Sequence, residues 1–225
     1  MLTVTAAWQT TYPGAAVGVL AMQGVSNPDS HPGLDGRKQA LEEEIRSRFS
    51  GQDKAAIRAL GPVQTYNDYY KRFKKTYHVQ LQLESVAFKG KSIPRVASLI
   101  EAMFMAELKN LLLTAGHDLD SVQGPVTLDV AAGNETYAML NGREQVLKRD
   151  DMFISDAVGV MSSVVYGPDS RTRIKPATRR ALFTVYAPEG IGQEAVLGHL
   201  RDIQDNVAAF APDAVTDLLE VYTTG

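Results

Sequence analysis

The sequence contains no cysteine, which removes disulfides, thiolate nucleophiles and cysteine metal sites from consideration. Histidine is scarce: the 4 present are His31, His78, His117 and His199, and no two are spaced as H-x-x-x-H or H-E-x-x-H. The familiar zinc-hydrolase pattern is therefore missing. No serine stands in a G-x-S-x-G elbow and there is no glycine-rich phosphate loop. The longest apolar stretch, Pro94 to Leu113, is interrupted by Arg95, Glu101, Glu107 and Lys109, charges that are costly in a bilayer. Met1 to Gln9 shows no basic region followed by an apolar one, so no secretory signal is visible. A net charge of −3 excludes a strongly basic nucleic-acid-binding protein and leaves room only for a local basic patch. These absences predict a cytoplasmic protein with no membrane span and no metal.

What remains is ordinary globular composition. At 225 residues, 44% hydrophobic and 22% charged, the chain suits one large domain with a proper core. Ala15 to Gln23, short, apolar and bounded by glycines, predicts a buried strand. A turn-rich stretch, Ser26 to Gly36, leads to a helix capped by Asp35 and running to about Phe49, with Leu41, Ile45 and Phe49 on one face. Lys54 to Leu60 reads as a short helix. From Pro62 onward, Val63, Tyr66, Tyr70, Phe73 and Tyr77 recur at helical spacing, which predicts one continuous helix with a buried aromatic face. Val79 to Phe88 is strand-like, and Lys89 to Ile93 is a loop into the long helix from Pro94.

Beyond Pro125 the pattern changes to short strands: Val126 to Val130, Thr136 to Leu140, Gln145 to Leu147, Met152 to Ser155, Val158 to Tyr166 and Leu182 to Tyr186. Asn141-Gly142 between two of them signals a hairpin, since both residues tolerate positive φ. Val196, Leu200, Ile203, Val207 and Phe210 form a helical stripe, and Asp213 to Tyr222 fits either helix or strand. Helices in the N-terminal half and flanking a β-rich C-terminal half argue for an α+β fold. A turn-rich stretch near Lys89 divides an N-terminal lobe, residues 1–88, from the β-rich part, residues 89–225.

Three groups of residues can carry chemistry. His117-Asp118-Leu119-Asp120, read as a turn after the long helix, can hold a hard cation or supply acid–base groups; equally, Asp118 and Asp120 can make local turn hydrogen bonds. Tyr69 to His78 interleaves aromatics with Lys71, Arg72, Lys74 and Lys75, which suits either base stacking or an amphipathic helix with a packed aromatic face. Asp169 to Arg180 places Arg171, Arg173, Lys175, Arg179 and Arg180 in a loop. They form an anion-binding surface for RNA, keep the loop soluble, or turn inward to carboxylates such as Asp118 or Asp120.

The order Ile93-Pro94, Ala115-Gly116-His117-Asp118-Leu119-Asp120, Gly124-Pro125-Val126, Asn141-Gly142, Asp150-Asp151, Gly159-Val160-Met161 and Asp169-Ser170-Arg171-Thr172-Arg173 resembles the editing (B3/B4) domain of bacterial phenylalanyl-tRNA synthetase β chains. It is more similar still to free-standing proteins built from that domain alone. The resemblance implies a B3/B4-like α+β domain, no cofactor, and a pocket for an amino acid or aminoacyl-tRNA. In the synthetase, that domain hydrolyses tyrosine wrongly attached to the phenylalanine tRNA. Its pocket uses a histidine in a His-Ala-Phe-Asp turn and a glutamate ending a Leu-Leu-Glu strand; the matching positions here hold Ala115 and Thr184. The expected pocket is thus Ala115, His117, Asp118 and Thr184, with His117 and Thr184 as catalytic candidates. A trans-editing deacylase is one reading. Another is a non-catalytic binder of RNA or a small molecule, and a third is a protein-interaction module using the aromatic helix. A complete synthetase is excluded, since no aminoacylation motif is present.

Overall fold

The chain opens with a short strand, β1 (Leu2–Val4), and helix α1 (Ala6–Thr11), before the apolar run forms β2 (Ala16–Gln23). Helices follow without an intervening strand: α2 (Pro32–Arg48), α3 (Lys54–Arg58), α4 (Gly61–Arg72), α5 (His78–Lys89) and α6 (Ser98–Asn110). Strands dominate the remainder: β3 (Leu113–Asp118), β4 (Val126–Val130), β5 (Thr136–Ala138), β6 (Glu144–Val146), β7 (Met152–Ser155), β8 (Val160–Ser163), β9 (Gly167–Pro168) and β10 (Arg180–Ala187), then α7 (Gln193–Ala208) and β11 (Val215–Thr223). This computed structural model describes residues 2–224. The fold is α+β, as the sequence pattern implies.

β2 is apolar and buried at every position but its last, because it lies inside a sheet ordered β11-β2-β10-β3. One face of that sheet carries α6 and α7. Gly18 allows this close approach: a Cβ there would meet Val196 at 2.5 Å and Leu200 at 3.0 Å. The other face looks toward a second sheet, ordered β1-β4-β7-β8-β9. Tyr186 of β10 crosses that gap to meet Ser162 of β8, hydroxyl to hydroxyl, at 2.6 Å. Asn141-Gly142 does sit in a hairpin, between antiparallel β5 and β6.

Several elements depart from the sequence reading. α2 begins at Pro32, capped by the His31 ring, which accepts from the Gly33 amide at 3.2 Å; Asp35 falls in the first turn instead. The aromatic helix is not continuous. α4 stops at Arg72, and Lys74 takes φ 57°, so Tyr77 comes from the connection to α5 rather than from the same helix. All the stripe rings (Tyr66, Tyr70, Phe73 and Tyr77) are nevertheless buried. Val79 to Phe88 is helix α5, not a strand. Its V-Q-L-Q-L alternation mimics a strand, but Val79, Leu83 and Val86 also share a helical face and are its buried apolar positions, with Gln80 and Glu84 buried beside them, while Leu81 is exposed. Ala115 to Asp118 is strand rather than turn, and the chain's final segment is strand β11. Leu111, in the left-handed region at φ 61°, ends α6 and lets the chain reverse into β3.

The tyrosines do more than fill space, because each hydroxyl satisfies backbone groups that packing buries. Tyr66 donates to the Tyr186 carbonyl and accepts from the Leu113 amide at 2.9 Å. Tyr69 donates to Asp151 at 2.8 Å and accepts from the Met152 amide at 2.7 Å. Tyr70 reaches the Val164 carbonyl at 2.7 Å, and Tyr77 the Leu111 carbonyl at 3.0 Å. Tyr66 and Tyr77 also stack with centroids 4.3 Å apart. The aromatic cluster thereby fixes α4 and α5 to the ends of β3, β7 and β10, where the candidate site lies.

Candidate functional site

A cleft of about 490 Å³ opens along the outer edge of β3. α6 supplies Ile100, Met103, Phe104 and Glu107; β3 supplies Leu113 to Gly116; the opposite wall is the Ser163 to Pro168 segment with Ile174, and Tyr186 lines it too. His78, Leu140 and Arg173 also line it and are exposed. The walls are mostly hydrocarbon, which suits a small organic ligand oriented by a few polar groups.

Glu107 is the buried ionisable carboxyl in those walls, at 1% exposure, and the hydroxyls of Thr114, Ser163 and Tyr186 are buried beside the same cleft. Its Oε1 accepts from the Thr114 amide at 2.8 Å, whereas Oε2 has no hydrogen-bond partner. Burial pushes its carboxyl up to about 8, against which the Thr114 hydrogen bond works. β3 is an edge strand, and its unpaired side is directed at the cleft. The Thr114 amide points away from β10 to Glu107, and the Asp118 amide likewise to the Thr172 carbonyl at 2.7 Å. By the alternation of an antiparallel ladder, the Gly116 amide between them points outward as well.

The residues expected to share a pocket are distributed differently. Ala115 and Thr184 are direct partners in the β3–β10 ladder. Ala115 lines the first cleft. Thr184 lines a second, of about 440 Å³, with Leu182, Asp217 and Glu220; its buried hydroxyl has no partner. His117 and Asp118 line neither. The His117 ring is fully buried, with Nδ1 2.7 Å from the Thr172 hydroxyl and Nε2 3.1 Å from that of Ser162. Burial, helped by the Arg171 charge, pushes its pKa down to about 3, so it is held neutral.

The basic loop is largely internally compensated. Arg171 makes a bidentate pair with Asp156 at 2.8 and 2.9 Å, and Asp156 is wholly buried at its side chain. Lys175 pairs with Asp118 at 3.0 Å and Arg180 with Asp120 at 3.2 Å. Arg173 and Arg179 are exposed and donate only to nearby carbonyls of Ser170, Pro176 and Thr178. Among the described residues no group of three or more acidic or histidine side chains could hold a metal, and no helix is long and apolar enough to cross a membrane.

No family model matches the chain. A 66-residue stretch is 35% identical to the phenylalanine–tRNA ligase beta subunit of Tropheryma whipplei (strain Twist), covering 29% of this chain and 7% of that protein. Among solved structures, an N-terminal fragment of the phenylalanyl-tRNA synthetase beta-subunit from Pyrococcus horikoshii matches 98% of this chain, with TM-score 0.51 and 12% identity. The fold is that of the synthetase beta-subunit fragment. The chain spans 53% of that fragment, so the likeness describes architecture and leaves the chemistry to the residues.

The sequence reading missed Glu107, which it took only as a charge interrupting an apolar helix. The signal was there. A carboxylate inside a helix too apolar to have a wet face needs a partner or a ligand.

Proposed function

We propose that the chain is an amino-acid-binding module, taking an amino acid, free or as the aminoacyl end of a tRNA, into the cleft between α6, β3 and residues 163–168. The observation that carries this reading is a mostly apolar cleft with one buried, half-satisfied carboxyl and one guanidinium at its rim. Apolar walls suit a side chain, and charges of both signs suit the two ends of an amino acid. The synthetase-like fold supports tRNA as the carrier, and a cytoplasmic location, where charged tRNA is found, belongs to the same reading.

Its enzymatic form is trans-editing, hydrolysis of a mischarged aminoacyl ester. Such a reaction needs a base for water and donors for the developing oxyanion. The outward Gly116 amide suits the second role. For the first, Ala115 and Thr184 offer no base, and His117 is enclosed by Thr172 and Ser162, so the tRNA's own hydroxyl can only orient the water, whose proton passes to solvent. Binding is therefore the stronger statement, and hydrolysis of tyrosyl ester on the phenylalanine tRNA is expected to be slow or absent.

Melting the purified protein in the presence of each standard amino acid tests the binding. One or a few apolar amino acids should raise the melting temperature, and Ile100→Trp, which narrows the cleft, should remove the effect. If no amino acid stabilises the protein, and no aminoacyl-tRNA is bound or deacylated, the reading is wrong.

A further inference from the structure

The cleft places one carboxyl, Glu107, and one guanidinium, Arg173, among hydrocarbon walls. The two are not equivalent. Arg173 is exposed and free to reorient, while Glu107 is 1% exposed and fixed through Oε1 to the Thr114 amide at 2.8 Å. Its Oε2 is buried with no partner. A buried acceptor left without a donor is destabilising and uncommon in native proteins. Ile100, Met103, Phe104, Val164 and Ile174 beside it are apolar, and the buried hydroxyls that also line the cleft are engaged elsewhere, Thr114 with His199, Ser163 with the Tyr166 amide and Tyr186 with Ser162. The free oxygen is thus placed to take a donor that arrives with a ligand.

We propose that Glu107 recognises the free α-ammonium group of the ligand, restricting the site to amino acids and aminoacyl esters with an unblocked amino group and an apolar side chain. This rests on the reading of the cleft as an amino-acid site. An ammonium converts the orphaned oxygen into the acceptor of a charge-assisted hydrogen bond, which is about twice as strong as a neutral one. On binding, the proton that burial keeps on Glu107 leaves to solvent, and the ammonium neutralises the carboxylate charge so formed. The opposite end of the ligand, a carboxylate or the phosphates beyond an ester, then lies toward Arg173, whose planar fork suits either. The side chain is left against the hydrocarbon walls, which hold no further buried charge to read it.

The test uses wild-type protein and calorimetric titration with leucinamide, methioninamide, phenylalaninamide and tyrosinamide. Each is compared with the same carboxamide lacking the amino group and with its N-acetyl form. The best-binding amide should lose at least about tenfold in affinity in both altered forms. Glu107→Gln, which keeps an acceptor for Thr114, should bind that amide about tenfold more weakly and no longer distinguish it from its amino-free counterpart. Equal binding of the amino-free compounds to wild type overturns the role given to Glu107. So does discrimination that survives in Glu107→Gln, or selective binding of tyrosinamide that depends on its phenol rather than its amine. Should neither amides nor free amino acids bind at all, the amino-acid reading of the cleft falls, and this inference with it.

Discussion

Burying Glu107 makes the protein's stability depend on pH in a way that a single substitution isolates. Unfolded, its carboxyl ionises near the ordinary 4.5; folded, burial holds the proton until about 8. Between those values the native state binds one proton more than the unfolded state. Its contribution is therefore complete below pH 4.5, falls as pH rises, and levels off above about 8. The loss is on the order of a few kcal/mol. Glu107→Gln cannot ionise, so its melting temperature relative to wild type should climb between pH 5 and pH 8.5. Any constant cost of placing an amide there cancels in that trend. Parallel melting curves across the range would show that Glu107 is not held protonated. At this scale the sequence was a poor guide. It pointed to His117, Asp118 and Thr184 by their place in an ordered set of motifs, but whether a polar side chain faces a cleft, a neighbour or the core depends on contacts far along the chain. His117 meets Ser162 and Thr172, and Asp118 meets Lys175. None of these pairings has a spacing that sequence could reveal.

At the scale of elements, the aromatic stripe shows what periodicity does and does not convey. Spacing alone identified Tyr66, Tyr70, Phe73 and Tyr77 as core. It did not show why so many are tyrosine, nor that α4 breaks at Lys74. Tyr66 is the clearest case: one hydroxyl serves both the Tyr186 carbonyl and the Leu113 amide. Tyr66→Phe leaves two buried backbone groups unpaired and should cost about 3 kcal/mol, lowering the melting temperature by roughly 6–12 °C for a chain of this size. Tyr222→Phe, whose hydroxyl donates to the exposed Glu220 carboxylate at 2.6 Å, should change it little. Equal effects from both would mean that the Tyr66 hydroxyl is not structural. The loop before β10 divides in the same manner. Arg171→Ala strands the buried Asp156 carboxylate and should destabilise by about 3 kcal/mol, whereas Arg179→Ala, exposed and without a carboxylate partner, should stay within about 0.5 kcal/mol of wild type. The sequence gathered these cations as one cluster because charge is visible in sequence and pairing is not.

For the whole molecule, the question is whether a chain of net charge −3 can hold an RNA. Three of the five loop cations, Arg171, Lys175 and Arg180, already face Asp156, Asp118 and Asp120, and their fields are largely cancelled at the distances phosphates would occupy. Arg173 and Arg179 remain. Arg173 sits at the rim of the cleft, where the backbone of a tRNA end would pass if its aminoacyl group entered. Binding through so few phosphates is weak and only modestly salt-dependent, because the slope grows with the number of phosphates whose counterions are released. A titration of tRNA against wild type over a range of salt should give a shallow negative slope of log affinity against log salt. Replacing Arg173 and Arg179 together by Ala should flatten that slope by about one to two units. Arg180→Ala should flatten it less, since that side chain is shared with Asp120. An uncharged tRNA and its aminoacylated form should show the same slope but different affinities, because the ester adds the contact with the cleft without adding a phosphate. A slope unchanged in the double variant would remove the loop from any RNA surface and leave the cleft as a site for free amino acids.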